Sequence, residues 1–270
     1  MIGLHVFNMI KIDQHHNATI IFLDRPAKRN AMTPEMLGEL ASTLEAIAAG
    51  SPPHNAVKAV VLAGSGECFC AGFDLKMCLQ TPGTTATLLR ELSRCITAMV
   101  RIERPVVIAA TSVAVAGACA LFGGADAVIG NVDGKYGYPV LKLGLSPAVS
   151  APFMVPQLAY SAHGVARSRL LDTGLIDGRE ARRIGLLTDL VDWPEDCIRK
   201  SLSVASMLAA KPVLAFASTK RLLAELCDTH ALAERALAAS LTTADTADMH
   251  TRLGAMFAPA GKAPPTATNT

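Results

Sequence analysis

Apolar positions along this chain follow two periods, and the switches between them mark the elements. Residues 4–13 and 18–24 ("ATIIFLD") predict two extended segments joined by a turn at "HHN". Thr33 followed by Pro34 is a helix start: the threonine oxygen can accept from a free N–H, and proline's fixed φ suits the first turn. Met36, Leu37, Leu40, Leu44 and Ile47 then recur at helical spacing, and Gly50 with "SPP" ends the helix. "VKAVVLAG" (57–64) predicts a buried strand, and "ECFCAGFDLKMC" (67–78) a loop behind it. A second helix carries Leu88, Leu89, Leu92, Cys95, Ile96, Met99 and Val100 on one face. "RPVVIAATS" (104–112) predicts another buried strand. "VAVAGACALFGGAD" (113–126) follows as a helix of small residues, then "AVIG" as a short strand and "GKYGYPV" as a loop and strand. After "WPED" (193–196) the pattern is helical, broken at Pro212, and residues 258–270 lack any period and are expected to be disordered.

Strands alternating with helices, then helices alone, predict an α/β core with a helical C-terminal unit. Hydrophobic residues make up 51% of the 270 positions, enough for one large core with apolar surface to spare. Lys and Arg total 25 against 23 Asp and Glu, so no basic face is available for nucleic acid or a membrane surface. Seven cysteines scattered among aliphatic residues point to reduced thiols and an intracellular protein. The N-terminus lacks the basic and apolar blocks of a leader, and "TATNT" is no peroxisomal address. A cytoplasmic or mitochondrial protein, without a membrane span, is the expectation.

The cysteine-rich stretch 67–78 admits four chemistries. Cys68, Cys70 and Cys78 fall short of the four ligands of a closed zinc site, so no metal is expected. "GSGECF" begins like a dinucleotide fingerprint, but Phe69 stands where the third glycine belongs. A catalytic thiol needs a base, and no histidine lies nearby in sequence. The remaining reading is backbone donation. Ala71 and Gly72 form an unhindered turn that leaves the Phe73 N–H free, and Gly117 occupies a similar junction in "AVAGACA". Two such donors aimed at one oxygen make an oxyanion hole. Close packing of "AGACA" against a neighbour explains the small residues equally well.

The segments "LDRPAKRNAM", "VVLAGSGECFCAGFDL", "RPVVIAATSVAVAGACALFGGAD", "KLGLSPA" and "AAKPVLAFASTKRLL" resemble, in order and spacing, the crotonase (enoyl-CoA hydratase/isomerase) superfamily. The resemblance runs from about Ile12 to about Phe257. It implies a ββα spiral core over residues 1–195 that binds acyl-CoA. Residues 196–257 become a helical region that assembles a homotrimer or a dimer of trimers. It implies an acyl-CoA thioester substrate, with coenzyme A part of the substrate and no separate cofactor. The Phe73 and Gly117 N–H groups become the oxyanion donors. Ala71, Gly72, Asp74, Leu75 and Lys76 line the pantetheine and adenine, and Lys28 and Lys76 neighbour the phosphates.

The sequence departs from the family at the acid/base positions. Hydratases carry one glutamate three residues beyond the second oxyanion glycine and another after the next strand; Ala120 and Val140 stand there. Isomerases can instead use a position just after "LGLSP", here Ala148. Two-glutamate hydration is therefore not expected. Asp74, Cys119, Tyr138, Ser146 and Glu91 are the polar residues near the implied pocket, with Asp74 a candidate acid/base. Three readings follow: an isomerase- or hydratase-like enzyme with a relocated acid/base, a decarboxylase or thioester hydrolase resting on the oxyanion hole, and a silent acyl-CoA-binding oligomer.

Overall fold

A computed structural model describes residues 9–154, 170–171, 174–226 and 229–258 of the chain. Strands β1 (Ile10–His15), β2 (Ala18–Leu23), β3 (Val60–Gly64), β4 (Val106–Ala110), β6 (Ala127–Asn131) and β8 (Asp189–Val191) form one sheet in the order β1-β2-β3-β4-β6-β8. Only the β1–β2 pair is antiparallel. β5 (Val113–Val115) and β7 (Lys135–Gly137) pair in parallel as a second, smaller sheet. Single bridges extend it: Met32 to Phe73, Cys70 to Ala114 and Tyr136 to Ile176. The chain thus gives each turn one strand in the large sheet and one short segment in the small one, which is the spiral the resemblance implied.

The central strands are buried on both faces, as parallel strands under crossover helices must be. Val60 and Leu62 of β3, with Val106 and Ile108 of β4, face one core with α1 (Pro34–Ala48) and α3 (Thr84–Arg101). Val61, Ala63, Val107 and Ala109 alternate to the other face, under Cys197 and Ala205 of α6 (Asp196–Ala209). α1 starts as its sequence predicts: the Thr33 side chain accepts from Met36 N, with Pro34 in the first turn.

Other elements differ from the sequence reading. Residues 113–126 are not one helix. β5 comes first, then a turn at Ala116, the short α4 (Gly117–Ala120) and a 3-10 turn at Leu121–Gly124. Pairing with β7 outweighs the helical preference of alanine. The expected loop at 67–78 ends in the short helix α2 (Leu75–Gln80). Two short elements are not among those the sequence pattern predicts: α5 (Gly178–Arg183) and the half-buried β8. Residues 4–8 of the expected first strand and all but Ala258 of the expected disordered tail lie outside the described residues.

Pro212 separates α6 from α7 (Val213–Leu226), after which come α8 (Thr229–Leu241) and α9 (Ala247–Phe257). Among the described residues no single helix is long and apolar enough to cross a membrane. The α6–α7 pair passes that test only when joined across its 107° bend. Lys220 of α7 reaches into the core, donating to Asp126 Oδ2 (2.8 Å) and Arg104 O (3.3 Å). The same carboxylate oxygen accepts from Val106 N, so this pair ties the C-terminal helices to the start of β4.

Two side-chain clamps fix the loop after β3. Asn30, fully buried with φ +54°, donates from Nδ2 to the carbonyls of Ser65, Cys68 and Phe69, while its Oδ1 accepts from Arg25 N. Arg25 Nη1 meets Asp74 Oδ2 at 2.7 Å, and Asp74 Oδ1 caps α2 by accepting from Met77 N. Burial pushes the Asp74 carboxyl up. The Arg25 hydrogen bond, the Met77 N–H and the Arg25 charge outweigh it and hold the group below the usual carboxylate value.

Asn30→Ala strips bonds from buried carbonyls and lowers unfolding stability by about 2–4 kcal/mol in a denaturant titration; a change below about 0.5 kcal/mol would contradict the clamp. Asp74→Asn destabilises in a pH-dependent way. Because the folded carboxyl titrates lower than the unfolded one, its contribution is complete above about pH 4 and fades as pH falls through the lowered value. Melting curves of wild type and variant converge in acid; a gap unchanged down to the acid limit would refute the ion pair as its source.

Candidate active site

A cleft of about 690 Å³ opens between the β3 loop, the β5–α4 junction, the segment after β7, and the end of α9. Its walls explain why two main-chain donors stay free. Gly72 takes φ +92°, and a Cβ there would stand 2.9 Å from Val115 O, so only glycine fits between the two segments. Gly72 O accepts from Met32 N (2.8 Å) and Asp74 N donates to Met32 O (2.9 Å). That bridge consumes the groups on either side and leaves Phe73 N pointing the other way. Among the described residues Phe73 N has no hydrogen-bond partner.

The second donor arises at a strained turn. Ala116 sits at φ +56°, ψ −118°, a region alanine rarely adopts, and its N–H donates to Gly137 O at 2.8 Å. This turn starts α4 at Gly117, whose N–H also has no partner among the described residues. The Phe73 ring covers Gly117 so closely that a Cβ there would lie 2.8 Å from Phe73 Cε1. Phe73 and Gly117 are therefore neighbours, and both line the cleft.

Of the other residues singled out in the sequence, Lys28, Ala71, Asp74, Leu75 and Lys76 line the cleft, and Gly72 is buried just behind it. Lys76 Nζ stands 5.8 Å from the centre of the Phe257 ring, itself a wall of the cleft. Arg25, Arg29 and Lys142 add positive charge to the same walls. Lys28 and Lys142 have no ion-pair partner among the described residues. Ala120 and Val140 are buried and line the cleft, presenting aliphatic surface. Ala148 is not a lining residue, although Pro147 and Val149 beside it are. Glu91 does not reach the cleft: its Oε2 pairs with Arg94 at 2.6 Å.

The cysteines among the described residues are all buried. Cys70 is fully buried, its Sγ 3.0 Å from Asn30 O, and burial pushes its pKa up to about 12. Burial likewise raises Cys119 to about 12 and Cys78 to about 11, so thiolate is scarce at neutral pH. Among the described residues no group of three His, Cys, Asp or Glu side chains is placed to hold a metal ion. Sequence reasoning missed the contributions of Arg25, Lys142, Met256 and Phe257 to the walls. For the last two no signal existed, since α9 joins the cleft only through the fold.

Comparison with known proteins bears on the family. The profile described as Enoyl-CoA hydratase/isomerase matches residues 13–262. A putative enoyl-CoA hydratase of Thermus thermophilus is 28% identical over 226 residues, covering 81% of this chain and 84% of that protein. The crotonyl-CoA hydratase of Syntrophomonas wolfei is 26% identical over 219 residues, 79% of this chain and 80% of its own. Among solved structures, an enoyl-CoA hydratase/isomerase from Xanthobacter autotrophicus superposes with TM-score 0.79 at 27% identity, covering 93% of this chain and 94% of that one. One from Mycobacterium paratuberculosis gives 0.80 at 24%, covering 92% and 98%, a likeness of fold. With the profile spanning nearly the whole sequence, this chain belongs to the enoyl-CoA hydratase/isomerase family of the crotonase superfamily.

Proposed function

We propose that the protein binds an acyl-CoA thioester and stabilises its enolate between the Phe73 and Gly117 N–H groups, as an isomerase- or hydratase-like enzyme that does not use the two-glutamate mechanism. The observation that carries this is the pair of unpartnered N–H groups on adjoining walls of one cleft. Negative charge grows on the thioester oxygen as the enolate forms, and fixed donors in a dry site stabilise it without reorganising. The basic side chains Lys28, Lys76 and Lys142 suit the phosphates of coenzyme A, and the aliphatic walls suit an acyl chain. In this reading coenzyme A arrives with the substrate and no other cofactor is required.

Base supply narrows the reaction. Hydration and isomerisation both need a group that takes a proton from water or carbon. Asp74 is the one carboxylate among the described lining residues, and both its oxygens are engaged, one by Arg25 and one by Met77 N. We therefore assign it the role of a loop clamp rather than an acid/base. The lack of a free carboxylate there favours a second reading, decarboxylation of a malonyl-type thioester, which reaches the same enolate by losing CO₂ and needs no base.

Calorimetry is expected to show binding of acyl-CoA thioesters. Incubation with crotonyl-CoA is expected to give 3-hydroxybutyryl-CoA only very slowly, and mass spectrometry over 2-enoyl, 3-enoyl and malonyl-type thioesters identifies the real product. Gly117→Pro removes a donor and is expected to cut turnover at least about 100-fold, while Cys70→Ala keeps its activity per folded molecule. Absence of binding to every thioester would remove the basis of this reading, binding without turnover of any would leave the silent-binder reading, and the reverse ranking of the two variants would revive a thiol mechanism.

Self-association as a trimer or dimer of trimers is part of the same proposal. It is supported by the exposed apolar residues of α7, where Leu214 is 83% and Leu226 73% exposed. Sedimentation equilibrium is expected to return three or six times the chain mass; a monomer at micromolar concentration would contradict it.

A further inference from the structure

Gly83 opens α3 without a side chain to cap it, and the cap comes from far along the chain: Asp245 Oδ2 accepts from Ala86 N at 3.0 Å. Asp245 takes φ +55°, a conformation aspartate tolerates better than most residues, and the next residue, Thr246, is the N-cap of α9. One carboxylate thus sits at the joint between the two helices. Its other oxygen, Oδ1, is buried and has no hydrogen-bond partner among the described residues. The same holds for His250 Nε2 on α9, which faces that oxygen at 3.8 Å. The separation is about 1 Å too long for a hydrogen bond, so a buried acceptor and a buried ring nitrogen confront each other unmade. The rest of the ring is not sealed: 31% of the His250 side chain is exposed, which lets it exchange a proton with solvent.

The charged surroundings single out this pair. α9 packs against α2 and the 3-10 turn Leu141–Leu143. α2 brings Cys78, kept a thiol chiefly by burial with the Asp245 charge adding to the effect, and Lys76, which stands over Phe257 at the far end of α9. Its cap, Asp74, is held by Arg25. The turn brings Lys142, exposed, and the first turn of α3 brings no charge, with Arg90 beyond it exposed. On α9 itself Asp248 and Arg252 pair with each other at 2.8 Å. Among the described residues Asp245 is therefore the one acid paired with His250. A neutral imidazole gains little from it across this distance, whereas an imidazolium carries a proton on Nε2 and is drawn to the carboxylate. α9 has two buried residues, Met249 and Leu253, and ends at Met256 and Phe257 in the cleft wall, so one more fastening at its first turn counts. We propose that His250 and Asp245 form a proton-operated latch: protonation of His250 closes the pair, fastens α9 to the start of α3 and steadies the part of the cleft wall that α9 supplies. The latch stands whichever ligand the cleft takes. Because the closed pair exists only with a protonated ring in the folded chain, its stabilisation is present in acid and lost as pH rises through the histidine range, about pH 5 to 8.

Melting temperatures of the full chain at about pH 5.5 and pH 8 test this on wild type, His250→Gln, Asp245→Asn and the double variant. Asparagine accepts a positive φ and keeps an oxygen for Ala86 N, so Asp245→Asn removes the charge and leaves the cap. The double-mutant cycle is expected to return a coupling of about 2–4 °C in acid and none at the higher pH. Hydrogen exchange of residues 246–257, read by mass spectrometry at each pH, is expected to be slower in wild type than in His250→Gln in acid and equal at the higher pH. A coupling that is absent in acid, or the same at both pH values, overturns the latch and makes the contact one of packing or a bridging water. A pH-dependent coupling with no change in exchange over 246–257 overturns its hold on the cleft wall.

Discussion

Asn30 places a buried amide between two loops, and its bonds decide where the Phe73 N–H can point. Three carbonyls of the β3 loop converge on Nδ2, so residues 65–69 fold back over the end of the strand rather than running on. The next residues then have one course available, alongside Met32, whose main chain takes the carbonyl before Phe73 and the N–H after it. An amide bond left over in a protein interior is costly. Here two are left over on facing segments, and each is held by neighbours that cannot turn to satisfy it.

The second donor depends on the same scaffold from the other side. Ala116 holds a strained turn because its N–H is anchored on Gly137 O, in the strand paired with β5. The small sheet therefore acts as a jig: bridges at Met32–Phe73 and Cys70–Ala114 register the first donor's segment against the second's. Strain of this kind persists only where surrounding contacts outweigh it. The Phe73 ring over Gly117 holds the arrangement further, and this close packing by itself calls for glycine at that position.

Around these donors part of the chamber wall is aliphatic. Aliphatic side chains at 120 and 140 leave a low-polarity wall in which a fixed N–H dipole acts strongly, and Asp74 is the one carboxylate among the described lining residues. Positive charge is confined to Arg25, Arg29 and the lysines, of which Arg25 is spent on Asp74. The division suits a ligand with an anionic end and an uncharged one.

Much of this was legible before any coordinates. Apolar runs at 57–64 and 104–112 could only be buried strands, and the Thr33–Pro34 start with its helical spacing could only be α1. The glycines at 72 and 117 marked two unhindered turns, and only the family resemblance turned them into candidate donors and gave alanine and valine at 120 and 140 a meaning. Local propensity misled at 113–126, where Ala114 enters a strand between two valines because a partner is waiting for it. It was silent on α5, β8 and the part α9 plays in the cleft, since those depend on contacts between residues far apart in the chain. Asp74 shows the boundary. Sequence placed it beside a donor, but only the fold showed Arg25 and the α2 N-terminus using both its oxygens. The sequence by itself determined the main strands and helices, because each follows from short-range sterics and periodicity, and left open whether the glycines at 72 and 117 free a donor or only allow close packing. The tertiary structure alone decided which polar side chains are spent, because hydrogen-bond satisfaction is settled by neighbours that only folding brings together.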